Sequence, residues 1–157
     1  ATIVIIKEEI LGRVTRDIPS MMNYKLMIDK SSMFNTPPVF SIYVSLLTMR
    51  WLKNLGGIKA IDEINKTKAV VMYSEIDLNP LFNGFAAIED RSTMNATFNL
   101  INNDLKDTFE SMLKEAGIEG VNGHRSVGGY RASMYNALSL DSVKVLVEVM
   151  SELETKA

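Results

Sequence analysis

The apolar segment between residues 39 and 55 constrains the fold most, because its pattern is typical of a helix that is hydrophobic on nearly every side. Thr36 can cap the free amides of its first turn, and the two prolines that follow suit that turn. Polar residues such as Ser41 and Arg50 interrupt the segment, and it falls short of the roughly 20 apolar residues that span a membrane. We therefore expect protein to cover this helix, as at a contact between domains or subunits.

Three further helices are expected downstream. The first runs over residues 58–76, after a glycine pair that ends the apolar helix, with isoleucines inward and charged residues, Lys68 among them, outward. The others cover residues 104–116 and 139–154, each with one apolar face. Asn83-Gly84 marks a turn between the helix at 58–76 and the helix at 104–116.

Strand patterns complete the fold. Residues 93–100 alternate between polar and apolar, residues 85–88 form an apolar run expected to pair with them antiparallel, and residues 131–135 alternate again. The β-branched run at 2–7 predicts a strand buried in a larger sheet, whereas residues 12–32 are expected to be mostly loop. The fold class is therefore α/β, with a small α+β domain of two to four largely antiparallel strands covered by helices.

The stretch Gly-His-Arg-Ser-Val-Gly-Gly-Tyr-Arg at residues 123–131 has the composition of an anion site. Arg125 and Arg131 each offer a planar fork of donors to a carboxylate or phosphate, and His124 adds another donor. The glycine pair between them lets the backbone turn and approach a ligand. The pattern also fits a surface hairpin with two solvated arginines, since most arginine is exposed.

Composition excludes several classes of function. The chain has 17 basic and 19 acidic residues and no block of like charge, so nucleic acid and anionic membranes are not expected partners. Without cysteine, and with one histidine outside any acidic cluster, it is not expected to bind a metal. The absence of cysteine and of a signal-peptide pattern suits the cytoplasm.

Two motifs resemble one known family. Gly-His-Arg-Ser-Val-Gly-Gly-Tyr-Arg-Ala-Ser-Met-Tyr-Asn-Ala, at residues 123–137, is similar to the C-terminal signature of the phosphoserine aminotransferases, and Ser-Met-Phe-Asn-Thr-Pro-Pro, at residues 32–38, is similar to a second motif of that family. The resemblance implies the C-terminal part of a fold-type I pyridoxal-phosphate aminotransferase. Residues 1–36 would then be a remnant of the large cofactor domain and its connection, and residues 37–157 the inter-domain helix plus the small domain.

The resemblance also implies a reaction and a set of site residues. Family members are homodimeric enzymes of serine biosynthesis, and they move an amino group between glutamate and 3-phosphohydroxypyruvate. By position, Arg131 would hold the substrate carboxylate, while His124 and Arg125 would contact the substrate phosphate from the neighbouring subunit. Asn35 and Thr36 would bind the phosphate of the cofactor, pyridoxal 5'-phosphate, that belongs to the other subunit.

The chain departs from the family in one respect. No residue matches the lysine that binds the cofactor covalently, the acid at its pyridine nitrogen or the aromatic on its ring, so these would lie before Ala1. Lys7, beside two glutamates, is typical of a surface lysine. We therefore expect no catalytic residue in this chain and no activity from it alone. The alternative is a stand-alone module that binds a small anion or dimerises without catalysis.

Overall fold

The computed structural model describes residues 1–126 and 128–157, so Val127 in the glycine-rich stretch lies outside the described residues. The chain divides into two compact units, Ala1–Asn54 and Leu55–Ala157. The assignment of residues 1–36 and 37–157 to two parts of a larger enzyme stays a prediction.

The first unit is helical. Two three-residue 3-10 helices, Glu8–Ile10 and Ser20–Met22, precede α1 (Tyr24–Asp29) and α2 (Val39–Asn54). The expected strand at residues 2–7 is not formed, because a strand needs a hydrogen-bonded neighbour and no described residue pairs with this segment. The short α1 lies in a region expected to be loop.

Helix α2 confirms the expected apolar helix and has no buried residue within the chain. Its first apolar side chains are largely uncovered, with Phe40 80% exposed. The helix begins at Val39, so Pro38, and not Thr36 as expected, occupies the position before its first residue. No helix in the described part of the chain is long and apolar enough to cross a membrane.

The second unit is a three-stranded antiparallel sheet with three long helices, as expected for the small domain. The strands lie in the order β1-β2-β3. Their pairing is antiparallel throughout, for example between Phe82 and Leu100 and between Thr97 and Arg131. Its α-helices and strands in chain order are α3 (Gly57–Leu78), β1 (Phe82–Gly84), β2 (Asn95–Leu100), α4 (Lys106–Glu115), β3 (Tyr130–Ser133) and α5 (Leu140–Lys156).

The position of β1 corrects an expectation. The strand covers Phe82–Gly84, through the Asn83-Gly84 pair that suggested a turn, and not residues 85–88. Pairing with β2 decides this, since Phe82 is buried against the core while Ile88 is 75% exposed. The amide of Phe85 still donates to the Thr97 carbonyl at 3.0 Å, so the ladder ends just beyond the strand.

Four aromatic rings form the centre of the core. Phe98 of β2 stacks on Tyr130 of β3 with ring centroids 5.5 Å apart, and Phe109 of α4 meets Tyr130 edge-on at 5.1 Å. Phe82 contacts both Phe98 and Phe109. Such pairs stabilise beyond the area that they bury, and they hold α4 against β3, the strand that carries Arg131.

The prediction that Lys68 faces outward is wrong. Its side chain is fully buried, and its Nζ donates to the carbonyls of Met134, Tyr135 and Leu138. Hydrophobic periodicity misplaced this residue because it assigns every lysine to the solvent face. Conversely, Ile58 was expected to pack inward and is 78% exposed.

Candidate functional site

The glycine-rich stretch folds back as a hairpin onto the sheet. The Arg131 amide donates to the Val121 carbonyl at 2.6 Å, and the Gly123 amide donates to the Gly129 carbonyl at 2.8 Å. Between them Asn122 forms an isolated antiparallel bridge with Tyr130. The tip of the hairpin therefore begins at His124, and its second arm continues directly into β3.

Glycine is required at two positions of this hairpin. Gly129 has φ +64°, and a Cβ there would lie 2.8 Å from the carbonyl oxygen of Phe98 and collide with the side chain of Asn99. A Cβ at Gly123 would collide with the carbonyl of Gly128 on the opposite arm. The absence of these side chains lets the hairpin lie against β2.

Local hydrogen bonds orient His124. The amide of Ser126 donates to its Nδ1 at 3.3 Å, and the hydroxyl of Ser126 lies 2.7 Å from the same atom. Because an amide can only donate, Nδ1 is an acceptor in this arrangement and Nε2 carries the proton. Nε2 is therefore the donor that His124 offers to a ligand.

Two adjoining pockets open beside the hairpin, and we name each after its arginine. The Arg125 pocket has a volume of about 340 Å³ and the Arg131 pocket about 210 Å³. His124 lines both pockets. The structure thus brings the three predicted anion-binding residues of this unit to one double pocket. Walls common to both are formed by Asn99, Gly123, His124, Gly128 and Tyr130.

Sequence reasoning missed several polar residues of the Arg125 pocket. Asn99, Asn122 and Lys106 line it. The alternation of β2 placed Asn99 on the polar face and could have identified it, but residues 104–116 suggested only an amphipathic helix. Glu110, the acid of this pocket, lies 3.8 Å from the ammonium of Lys106.

Two buried polar atoms at the double pocket have no hydrogen-bond partner among the described residues. One is Nε of the half-buried Arg131 and the other is the hydroxyl of Tyr130. Burial raises the pKa of Tyr130, and the charge of Glu110 raises it further. The Tyr130 hydroxyl therefore stays protonated at neutral pH.

Asn35 and Thr36 lie in the first unit, exposed and just ahead of α2. The amides of the first turn of a helix lack partners within that helix, so this end attracts anions. The described residues include no cluster of histidine, aspartate and glutamate suited to a metal ion.

A family model described as aminotransferase class-V matches residues 1–146. The chain belongs to the class-V aminotransferase family. Within that family it is similar to proteins named phosphoserine aminotransferase, which confirms the resemblance drawn from its two motifs. It is 64% identical to the one from Flavobacterium psychrophilum and 57% to the one from Flavobacterium johnsoniae, in each case over 99% of this chain. The chain spans 44% of the length of these relatives.

Solved structures of phosphoserine aminotransferases are also similar to this chain. A phosphoserine aminotransferase studied for radiation damage of its Schiff base superposes with a TM-score of 0.85 and 42% identity, over 97% of this chain and 42% of that one. The enzyme from Bacillus circulans subsp. alkalophilus gives a TM-score of 0.81 at 35% identity, over 88% of this chain and 39% of its own. These likenesses confirm the expected fold class.

Proposed function

We propose that this chain supplies the substrate-recognition part of a pyridoxal-phosphate-dependent phosphoserine aminotransferase. The reaction transfers an amino group between glutamate and 3-phosphohydroxypyruvate, giving 2-oxoglutarate and O-phosphoserine. The observation that carries the proposal is the double pocket, in which Arg125 and Arg131 lie in adjoining compartments that share His124. A substrate with a carboxylate at one end and a phosphate at the other needs two such anion sites.

The Arg131 pocket is assigned to the substrate carboxylate. An unpaired buried donor such as its Nε destabilises a protein by about 1–3 kcal/mol, and a carboxylate gripped by the guanidinium fork would remove that cost. Phe85 and Phe98 give this pocket an apolar wall, and a less polar surrounding strengthens the pairing.

The Arg125 pocket is assigned to the substrate phosphate. Arg125 offers a charged fork and His124 offers its Nε2 proton, while Asn99 and Asn122 add neutral donors. In the proposed homodimer these residues serve the active site of the neighbouring subunit, and the exposed apolar side chains of α2 supply a further covered contact.

Asn35 and Thr36 are assigned to the cofactor phosphate, since both are exposed and lie just ahead of the positive end of a sixteen-residue helix. When bound, pyridoxal 5'-phosphate stabilises the negative charge that develops at the substrate carbon. One solved relative, the phosphoserine aminotransferase from Trichomonas vaginalis, is described as bound to this cofactor, which supports the choice of cofactor.

The chain alone is proposed to be inactive. A lysine that binds this cofactor is activated by desolvation or by a cationic neighbour. Among the described residues Lys68 is the one buried lysine, and its three protons are donated to backbone carbonyls. Visible absorbance of lysine-bound cofactor on the purified 157-residue chain would contradict this proposal.

The test compares substrates with and without phosphate. It uses a longer protein in which this chain follows a cofactor domain that carries the cofactor-binding lysine. His124→Ala and Arg125→Ala are expected to raise KM for 3-phosphohydroxypyruvate roughly tenfold or more, the cost of a charged hydrogen bond, and to leave hydroxypyruvate unchanged. Arg131→Lys is expected to weaken both substrates. Lys114→Ala, at an exposed position of α4, is the control. Equal losses for both substrates in His124→Ala would refute the assignment of the phosphate.

A further inference from the structure

Lys68 is a buried cation held by the backbone alone. It is 0% exposed, and its Nζ lies 3.0 Å from the carbonyl oxygen of Met134, 2.8 Å from that of Tyr135 and 3.1 Å from that of Leu138. An ammonium has three protons, so its donors are saturated. None of its bonds within the described residues goes to a carboxylate. Removing such a charge from water is costly, so the three carbonyls must be held in place to compensate it.

Asn65 supports the same contact one turn earlier on α3. It is 3% exposed, and its Nδ2 donates to the Oδ1 of Asn136 at 2.8 Å. Residues three apart on a helix share a face. Asn65 and Lys68 together, here named the α3 clamp, therefore fix residues 134–138 through four hydrogen bonds.

The clamped segment joins the end of β3 to the start of α5. Its first residue, Met134, still belongs to the ladder, since its amide donates to the Met94 carbonyl at 2.7 Å. Immediately after it, Ser139 caps α5 by accepting a hydrogen bond from the Ser142 amide at 3.1 Å. Arg131 is the second residue of β3 and lies three residues before Met134, whose carbonyl is the first one that Lys68 holds.

We propose that Lys68 is a positioning residue for the Arg131 pocket: by holding residues 134–138 it fixes β3 and aims the Arg131 guanidinium at the substrate carboxylate. The carboxylate role rests on the proposed function. The geometry explains why a buried charge is placed here. β3 is an edge strand that is held by β2 on one side and by the short hairpin arm on the other, and the clamp fixes the segment that follows its last residue.

The test uses Lys68→Met, which keeps an unbranched side chain, one atom shorter than lysine, and removes its donors. The matched control is Lys66→Met, two residues away on the same helix, where the lysine is exposed and pairs with Asp62 and Glu63. The first readout is the Nε–H resonance of Arg131 and its hydrogen exchange in the 157-residue protein, where Nε is buried. Exchange is expected to be roughly ten times faster in Lys68→Met, as for the loss of one charged hydrogen bond, and unchanged in Lys66→Met.

The second readout is a KM-against-kcat split in the protein joined to a cofactor lysine. Lys68→Met is expected to raise KM for 3-phosphohydroxypyruvate and for hydroxypyruvate alike, since both carry the carboxylate, with kcat largely kept. An unchanged Arg131 resonance in a folded Lys68→Met protein would overturn the positioning role. The failure of the carboxylate assignment has a different signature, an unchanged KM in Arg131→Lys, and leaves the resonance test decisive by itself.

Two milder variants decide the question if Lys68→Met does not fold. Asn136→Ala removes one bond of the clamp at an exposed position and is expected to accelerate Arg131 exchange in the same direction by a smaller factor. The chain has no cysteine, so Lys68→Cys can be alkylated at one site with 2-bromoethylamine in denaturant and refolded. This treatment restores an ammonium of similar reach and is expected to restore the Arg131 signal. If Asn136→Ala leaves the exchange unchanged, or the alkylated protein does not recover the signal, the proposal fails.

Discussion

Two neighbouring glycines in the hairpin provide a matched pair of substitutions to alanine. Gly128 and Gly129 both have positive φ, +77° and +64°. A Cβ at Gly128 meets nothing within 4 Å, whereas one at Gly129 lies 2.8 Å from the Phe98 carbonyl and closer still to Asn99. Both variants carry the same conformational strain, and only Gly129→Ala adds an overlap with the sheet.

The expected magnitudes follow from these contacts. Alanine with left-handed φ costs about 1–2 kcal/mol, partly offset by the lower entropy of the unfolded chain. Gly128→Ala should therefore lower the free energy of unfolding by about 1 kcal/mol. Phe98 lies in the central strand and is paired with both neighbours, so its carbonyl cannot retreat without loosening the ladder. Overpacking of this kind adds about 1–3 kcal/mol, so Gly129→Ala should lose roughly 2–4 kcal/mol.

Urea unfolding followed by far-ultraviolet circular dichroism measures both losses. The midpoint for Gly129→Ala should fall well below that for Gly128→Ala at an unchanged slope, and in thermal unfolding a difference of about 2 kcal/mol corresponds to roughly 8 °C for a unit of this size. Equal midpoints would show that the hairpin does not lie against β2 as described. A larger loss in Gly128→Ala would refute the steric argument altogether.

Three further predictions test other contacts. Asp77→Asn should lower the free energy of unfolding by no more than about 1 kcal/mol at neutral pH, because the pair with Arg91 is partly exposed. The hydrogen bonds from Arg91 lower the pKa of Asp77, so the difference in stability between the variant and the parent should vanish as pH falls through that pKa. Tyr130→Phe should raise the free energy of unfolding by about 1 kcal/mol, since it removes a buried hydroxyl without a partner. Because the raised pKa of Tyr130 makes the parent lose stability at alkaline pH, the variant should lose less stability there. A destabilised variant would show that the hydroxyl has a partner. Ser139→Ala should lose about 1 kcal/mol through the lost cap to the Ser142 amide, whereas Ser151→Ala, at an exposed interior position of α5, should not, and equal midpoints in urea would contradict this.

Local pattern was sufficient where one face of an element is buried. The alternation around Phe98 predicted β2 and its buried face, and the serine at position 139 predicted the start of α5. The glycine-rich motif predicted that His124, Arg125 and Arg131 belong to one site, which the double pocket supports by placing them side by side. Their roles towards substrate, and those of Asn35 and Thr36 towards the cofactor, stay predictions.

Features decided by distant partners could not be predicted. The Asn83-Gly84 pair is a turn signal in isolation, yet pairing of Gly84 with Phe98 makes it part of a strand. The β-branched run at residues 2–7 has strand propensity but no described neighbour to pair with. Lys68 is buried because three carbonyls some 66 to 70 positions away converge on it, and no local pattern contains that information.

The placement of aromatic residues makes the two units optically distinguishable. The single tryptophan, Trp51, lies on α2 in the first unit, while the packed rings of Phe82, Phe98, Phe109 and Tyr130 lie in the second. Intrinsic fluorescence excited at the indole therefore reports on the apolar helix, and the part of the near-ultraviolet dichroism that is lost in Tyr130→Phe reports on the sheet that carries Arg131. Without any added label, a denaturation experiment read by both signals distinguishes stepwise loss of the two units from a single cooperative transition.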